Sequence, residues 1–333
     1  MLYIYQWLKQ KYILKFGDIM KLDDIKTIGI IGGGLMGHGI AIQFARYGYQ
    51  VKLNDTSQIK LNECINNIES TCKTMAKSGI IKEIEINKII NNISTNLSLK
   101  NTAENSDFII EAVFEDLNIK QRIFSELDKY CSKEIVLASN TSSFKSSQIS
   151  ENCNNYSERI IVANWWNPPH ILPLIEVVKS PSVSESASKL TMELFSNINK
   201  KPVLLNKESL GFIGNRMQFA LLREAISIVS NGIATPHEVD EVVKYSFGRR
   251  LALAGPFEVF DAAGWDTITA IANELFPDLD CSKVEPKLLS EKLKNKEFGM
   301  KSDKGFYEWN EYSKDFYKEK IIAGLSVIDN IKN

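Results

Sequence analysis

A glycine-rich turn between an apolar run and a helical pattern is the feature that most constrains the fold of this chain. The stretch "TIGIIGGGLMGHG" carries Gly32, Gly34 and Gly37 in the spacing G-x-G-x-x-G. The run before it predicts a buried strand, and "MGHGIAIQFARYG" predicts a helix that ends at Gly48. Glycines at this place permit a tight turn, close approach of a pyrophosphate and close packing of the helix on the strand. The pattern favours a dinucleotide-binding unit over a purely structural glycine turn.

An acidic residue at the end of the next predicted strand agrees with this interpretation. Asp55 closes "VKLND", where a carboxylate accepts hydrogen bonds from the ribose hydroxyls of the adenosine. No arginine follows in "NDTSQIK", which favours NAD over NADP. We place Leu35 and Met36, between the glycines, in the same cofactor site. His38 is expected to fill space there, facing phosphate or solvent.

Apolar runs and helical patterns alternate from Lys26 to about residue 205, which predicts an α/β fold of the Rossmann type, with a doubly wound, mostly parallel sheet. Strands are predicted at 27–31, 51–55, 107–113, 134–139, 159–166, 174–179 and 202–205, and helices at about 57–92, 119–130 and 184–198. After residue 208 the pattern is mainly helical, and "TPHEVDEVV" predicts a helix capped by Thr235. We therefore expect an extension at 1–24, a Rossmann domain at 25–207 and a helical domain at 208–333.

Composition excludes several classes of protein. With 44% hydrophobic and 24% charged residues and a net charge of −1, the chain gives no reason to expect nucleic acid or an anionic membrane as a partner. The five cysteines show no metal-binding spacing, so we expect no metal and reduced thiols in the cytoplasm. Lysines interrupt the apolar first 20 residues, which predicts an extension outside the fold or an amphipathic surface helix rather than a membrane span.

Several segments together resemble one family, the NAD-dependent 3-hydroxyacyl-CoA dehydrogenases. They are, in order, "IGIIGGGLMGHGIA", "EAVFEDLNIKQRIFSELD", "ASNTSS", "NPPHILPLIEVV", "GFIGNR", "GPFEVFD" and "KSDKGFYEW". The resemblance covers about residues 26 to 309. It implies an NAD-dependent dehydrogenase with a Rossmann domain and a helical domain through which relatives dimerise.

The same resemblance supplies candidate site residues. Beside the cofactor it places Glu115, Lys120, Asn140, Ser142, Asn167 and Lys301. It also implies that Ser142 contacts the substrate hydroxyl or carbonyl. Asn215, in "GFIGNR", would present an amide donor to the substrate carbonyl oxygen, although an asparagine at a helix start can instead be a cap.

The segment "NWWNPPHILPLIEVV" carries the central question about catalysis. In the family reaction a histidine removes the hydroxyl proton and a glutamate orients that histidine. Glu176 matches the glutamate, but Asn164 stands where the histidine is expected, and an amide does not titrate near neutral pH. His170 can replace the missing base by folding back toward Glu176. Alternatively, the protein binds NAD without efficient turnover, as a pseudoenzyme or sensor, or a readily lost proton or a water relay through Asn164 makes a strong base unnecessary.

The acyl carrier of the substrate stays open. Relatives that use coenzyme A thioesters have basic residues on the helix after Asp55, where this chain keeps Lys73 and Lys77. "NPPHILPLIEV" looks closer to branches that oxidise small free hydroxy acids. Trp165 and Trp166 either wall such a pocket or belong to the core. We expect a homodimeric dehydrogenase that oxidises the 3-hydroxyl of an L-3-hydroxyacyl-CoA or of a small 3-hydroxy acid.

Overall fold

The computed structural model describes residues 19–153 and 155–329, and the chain divides after Phe212 into two compact units. The first unit contains one sheet in the order β3-β2-β1-β4-β5-β6-β7-β8. Its strands are β1 Thr27–Ile31, β2 Gln50–Asn54, β3 Ile93–Asn96, β4 Phe108–Glu111, β5 Val136–Ser139, β6 Ile160–Trp165, β7 Leu174–Val178 and β8 Lys201–Leu205. Neighbouring strands run parallel except for β6 and β7. The predicted α/β class with a mostly parallel sheet is confirmed.

Helices cover both faces of this sheet, and each face has its own apolar core. The helices are α1 Leu35–Arg46, α2 Gln58–Lys77, α3 Glu85–Asn91, α4 Leu99–Glu104, α5 Leu117–Tyr130, α6 Ser146–Ile149 and α7 Glu185–Asn197. The core below α1, α2 and α7 includes Phe44, Leu53 and Phe195. The core below α5 and α6 includes Phe124, Leu127 and Val162. Because successive strand residues point to opposite faces, β1 and the strands from β4 to β8 contribute side chains to both cores.

Most predicted elements are present within a few residues. The short helices α4 and α6 were not predicted, and two further differences concern a long helix and a strand. The helix predicted over 57–92 is broken, because α2 ends at Lys77 and Gly79 adopts a left-handed φ of 75° that stops helical propagation. The edge strand β3 was not predicted, since "ISTN" carries too few apolar residues to stand out.

The beginning of the described chain belongs to the fold. The backbone N–H of Met20 donates to the carbonyl of Glu134 at 3.1 Å, and Ile19 and Leu22 pack against the core below α1. The expectation of an extension outside the fold is therefore wrong for residues 19–24. Its remaining part, residues 1–18, lies outside the described residues.

The second unit is helical in its described part, as predicted. Its helices are α8 Gly214–Ser230, α9 Pro236–Tyr245, α10 Phe247–Leu251, α11 Pro256–Ala263, α12 Trp265–Leu275, α13 Lys287–Lys294 and α14 Glu311–Asp329. The predicted cap of α9 is confirmed, because the Thr235 hydroxyl accepts from the Glu238 backbone N–H while the Glu238 carboxylate accepts from that of Thr235. Within residues 19–153 and 155–329, no helix has both the length and the apolar character that a membrane span requires.

Candidate active site

The carboxyl edge of the sheet gathers most of the candidate residues of the first unit. The glycine loop follows β1, Glu115 lies shortly after β4, and Asn140 to Ser143 follow β5. Because β7 runs antiparallel to β6, the first residues of β7 also lie at this edge. Ligands of doubly wound sheets bind in the crevice outside the carboxyl ends of the strands.

The glycine loop has the shape that a pyrophosphate requires. Gly32 has a φ of 104°, which favours glycine, and a Cβ on Gly37 would lie 1.8 Å from the Gly32 carbonyl oxygen. A Cβ on Gly34, by contrast, would meet no atom within 4 Å. Leu35 and Met36 form the first turn of α1, where backbone N–H groups and the helix dipole favour an anion. The loop is thus crowded against the protein at its ends and open at its middle glycine.

Asp55 lies directly after β2, beside the glycine loop. Its Oδ2 accepts from the Gly33 backbone N–H at 2.9 Å, and its Oδ1 accepts from the Thr56 backbone N–H at 2.6 Å. Oδ1 also accepts from the Thr56 hydroxyl at 3.2 Å, whereas Oδ2 can accept a second hydrogen bond and so can still bind a ribose hydroxyl. The Lys60 ammonium lies 4.0 Å from Oδ1 and 5.5 Å from the centre of the exposed Phe114 ring. These residues fit the adenosine half of NAD.

A buried ion pair supports the loop after β4. The Lys120 ammonium lies 2.7 Å from Glu111 Oε1, and both side chains are almost fully buried. Glu111 also accepts from the Ser139 hydroxyl at 2.6 Å and from the Val113 backbone N–H at 2.7 Å. A buried charge is costly without partners, so this set of contacts offsets the cost of burial and fixes the geometry of the pair.

Glu115 connects this pair to the loop after β5. Its carboxylate lies 3.2 Å from the Lys120 ammonium and accepts from the Thr141 hydroxyl and the Ser142 backbone N–H. Burial by itself would raise the pKa of Glu115, but these hydrogen bonds and the Lys120 charge lower it below its ordinary value. Asn140 holds β6 in place, because its Oδ1 accepts from the Trp165 backbone N–H at 2.8 Å.

Asn164 and Glu176 face each other across the β6–β7 pair. They are paired in register, both are buried, and the Asn164 Nδ2 donates to Glu176 Oε2 at 3.1 Å. The Trp166 indole N–H donates to the same oxygen at 3.2 Å. Asn164 lies two residues after Val162 of the α5 core, so the carboxylate is on the α5 side of the sheet.

His170 lies on the other side, against α1. Its Nδ1 is 2.9 Å from the position of a Cβ on Gly39, and its ring centre is 6.3 Å from that of His38. Among the described residues this Nδ1 has no hydrogen-bond partner. Burial, helped by the charges of His38 and Lys200, lowers the pKa of His170 from 6.5 to about 4. The structure therefore brings Asn164, and not His170, beside the Glu176 carboxylate.

His38 differs from its expected environment. Its side chain is buried, Nδ1 lies 3.1 Å from the Gly34 carbonyl oxygen, and Nε2 lies 3.5 Å from the Thr71 hydroxyl. Burial lowers the pKa of His38, and the contact with Gly34 opposes this only in part. The residue fills space, as expected, but faces the protein interior rather than solvent.

Three candidate residues lie apart from these contacts. Asn167 is exposed in the loop after β6 and precedes the cis proline Pro168. Asn215 is the second residue of α8, whose N-cap is Ile213, so Asn215 is not the cap of that helix. Lys301 lies in a short 3-10 helix of the second unit.

One site residue and one contact were not predicted from the sequence. Glu111 is a lone acid in an apolar strand, and this signal was available in "DFIIEAV". The hydrogen bond of Trp166 has no such signal, because "WW" at a strand end is equally typical of core residues. Trp165 is in fact a core residue, 3% exposed and packed against Phe195.

Comparison with known protein families agrees with this geometry. Residues 27–209 match the model of the 3-hydroxyacyl-CoA dehydrogenase NAD binding domain, and residues 211–309 match that of the 3-hydroxyacyl-CoA dehydrogenase C-terminal domain. The two matches meet close to the division of the chain after Phe212. They confirm the resemblance seen in the sequence and the assignment of NAD as cofactor.

Individual relatives extend over most of the chain. A probable 3-hydroxybutyryl-CoA dehydrogenase of Bacillus subtilis (strain 168) is 33% identical over 289 residues, covering 86% of this chain and 99% of the relative. The mitochondrial hydroxyacyl-coenzyme A dehydrogenase of Homo sapiens is 30% identical over 293 residues, covering 86% and 91%. A crystal structure of 5-formyl-3-hydroxy-2-methylpyridine 4-carboxylic acid 5-dehydrogenase, described as an NAD⁺-dependent dismutase, matches with a TM-score of 0.84 at 25% identity, covering 92% and 100%.

Proposed function

This chain belongs to the 3-hydroxyacyl-CoA dehydrogenase family, and we propose that it oxidises the 3-hydroxyl of a short L-3-hydroxyacyl-CoA to the 3-oxo compound. It is accordingly an NAD-dependent oxidoreductase that acts on a CH–OH group. The observation that supports the proposed chemistry best is the buried Glu176 carboxylate, held by two N–H donors at the sheet edge that also carries the glycine loop. The pseudoenzyme alternative has no finding in its favour.

The residues that we assign to the cofactor are those of the glycine loop, Asp55 and the loops after β4 and β5. Gly32, Gly34 and Gly37 give the loop a shape that leaves room for the pyrophosphate, and the start of α1 supplies N–H groups toward it. NAD held by these residues would supply the acceptor for the hydride that leaves the carbinol carbon of the substrate. The loops after β4 and β5 would lie beside the nicotinamide end of the cofactor, and they are held in place by Glu115, Lys120 and Asn140.

Proton removal is assigned to the Asn164–Glu176 side of the site. The amide of Asn164 donates to Glu176, which leaves its carbonyl oxygen as an acceptor for the substrate hydroxyl or for a water. Because the amide itself cannot take the proton, the proton must pass to water or to the carboxylate. We infer that oxidation proceeds without an imidazole base and is slow for that reason, since loss of a general base costs about 10²–10⁴ in rate.

Ser142 and Asn215 are assigned to the substrate. The Ser142 backbone N–H is held by Glu115, which fixes the loop that would present its hydroxyl to a substrate oxygen. Asn215, in the first turn of α8, is assigned the role of an amide donor to the substrate on the strength of the family alone. Asn167 and Lys301 are assigned to the cofactor on the strength of the family alone.

A small free hydroxy acid is the second candidate substrate. It is favoured by the similarity to 5-formyl-3-hydroxy-2-methylpyridine 4-carboxylic acid 5-dehydrogenase, because the substrate in that enzyme's name is a free acid and not a coenzyme A thioester. Lys73 and Lys77 are both exposed on α2, which favours a phosphorylated carrier such as coenzyme A. Fatty acid metabolism is the setting that the first candidate implies.

We further propose a homodimer that forms through the helical unit and works in the cytoplasm. Among the described residues of the second unit, Ile226 is the one large apolar side chain that is buried, whereas Met217, Phe219 and Phe257 are more than half exposed. Apolar surface of this extent is typical of an interface. For the location, all five cysteines are free, as is usual in cytoplasmic proteins.

The test is turnover in the reductive direction. Purified protein is mixed with NADH and either acetoacetyl-CoA or a panel of free 3-oxo acids, and the NADH absorbance band is followed. We expect slow NADH oxidation with at least one of them, and the preferred one identifies the carrier. Absence of turnover with every substrate, in a protein that binds NADH, would refute the proposed function.

A further inference from the structure

Two adjacent tryptophans at the end of β6 have different environments. The Trp165 ring packs in the core below α1, where it contacts Phe44 and Phe195, and its Nε1 has no partner among the described residues. Trp166 points to the opposite side, because successive strand residues alternate. Its Nε1 donates to the buried Glu176 Oε2 at 3.2 Å.

We propose that Trp166 is a positioning residue, whose indole N–H holds the Glu176 carboxylate in its working orientation. The donors from Asn164 and Trp166 converge on one oxygen, and they come from side chains two residues apart on the same face. A carboxylate that accepts two N–H donors is restricted in rotation. Trp166 thus supplies an N–H of the kind that an imidazole at position 164 would donate to the same carboxylate.

The pair of tryptophans provides a matched comparison for a kinetic test, which rests on the proposed function. Trp166→Phe keeps an aromatic ring but removes the N–H, so we expect kcat to fall about tenfold with KM for NADH unchanged, the usual effect of losing a hydrogen bond to a charged group. Trp165→Phe removes an N–H without a partner, so we expect kcat to stay within about twofold. Equal effects of the two substitutions on kcat, or an effect of Trp166→Phe on KM alone, would overturn the proposal.

Coupling to position 164 sharpens the kinetic test. An imidazole introduced by Asn164→His can donate a ring N–H to Glu176, so the loss caused by Trp166→Phe should shrink in that background. Interacting residues show such non-additive effects, whereas distant ones add. If the effects of the two substitutions on kcat simply add, residues 164 and 166 do not act on the same carboxylate, which would contradict the proposal.

An NMR measurement tests the contact without any turnover. The indole N–H signals of the five tryptophans are assigned by their loss in Trp165→Phe and Trp166→Phe. Glu176→Gln removes the charged acceptor, so the Trp166 signal should move upfield while the Trp165 signal stays in place. If the Trp166 signal does not move, the proposal fails whether or not the protein is an active dehydrogenase. If the Trp166 signal moves but no variant oxidises NADH, the proposed function is refuted. The hydrogen bond from Trp166 to the Glu176 carboxylate is then still supported.

Discussion

The glycine loop and the β6–β7 pair lie at the same edge of the sheet, but different interactions determine their shapes. The loop owes its shape to backbone sterics, since a Cβ on Gly37 would collide with the Gly32 carbonyl. The β6–β7 pair owes its geometry to side chains, with Asn164 and Trp166 both donating to Glu176. Gly32 and Gly37 of the loop can only be glycine, whereas the strand pair tolerates any donor that reaches the carboxylate.

This difference explains why the two regions can change independently. The resemblance places a histidine at position 164, where this chain has an asparagine, and the Glu176 carboxylate still accepts a hydrogen bond from it. The cofactor site, in contrast, keeps every glycine of its pattern. NADH affinity should therefore depend on the loop, and turnover on the strand pair.

The largest effect is expected from Glu176→Gln. The amide removes the negative charge that both N–H donors hold, so kcat should fall by about 10²–10⁴. NADH affinity, measured by fluorescence titration, should stay within about twofold. The matched control is Glu193→Gln on α7, which removes an exposed carboxylate paired with Lys189 and should leave both quantities unchanged. A parallel loss of NADH affinity would show that the two regions are not separable.

Glycine substitutions test the loop from the opposite direction. Gly34→Ala adds a Cβ where no protein atom lies within 4 Å, so the melting temperature should hold while NADH affinity falls at least about tenfold. Gly37→Ala should lower both, because its Cβ would lie 1.8 Å from the Gly32 carbonyl oxygen. Gly324→Ala on α14 also adds a Cβ in open space and serves as the control for both measurements. Unchanged NADH affinity in Gly34→Ala would place the pyrophosphate elsewhere.

A smaller effect concerns acid stability and His170. The folded protein lowers the pKa of His170 to about 4 from an ordinary value of 6.5, so the unfolded chain binds its proton more readily. Stability from this group is complete above pH 6.5 and is lost as the pH falls toward 4, by up to about 3 kcal/mol. His170→Gln should flatten the decrease in the free energy of unfolding seen by urea titration between these pH values. His38 remains in both proteins, so parallel pH profiles would contradict the assignment.

Much of the fold was accessible from the sequence, because local signals and the global fold agree. The turn at Gly32 and Gly34 and the cap at Thr235 are set by interactions within a few residues. The break after Lys77 also has a local signal, Gly79, which the single long helix prediction did not use. The edge strand β3 has no clear local signal, because "ISTN" carries few apolar residues.

The candidate site was accessible only in part. The cost of burying a carboxylate predicts that Glu176 needs a hydrogen-bond partner, but it does not identify the residues that supply the hydrogen bonds. "NPPH" left open whether His170 folds back, and only the strand register places Asn164 opposite Glu176. Side-chain contacts across antiparallel strands bring together residues that are distant in the sequence. The periodicity of apolar residues does not predict such contacts.

The central claim is that Asn164 occupies the place of the base beside Glu176 in an otherwise intact dehydrogenase site. The most direct measurement compares kcat of Asn164→His with that of the unaltered protein, using NADH and the preferred 3-oxo substrate. An imidazole within reach of the Glu176 carboxylate should raise kcat at least about tenfold, since a positioned base contributes about 10²–10⁴. Equal or lower kcat, in a variant that still folds and binds NADH, would contradict the claim.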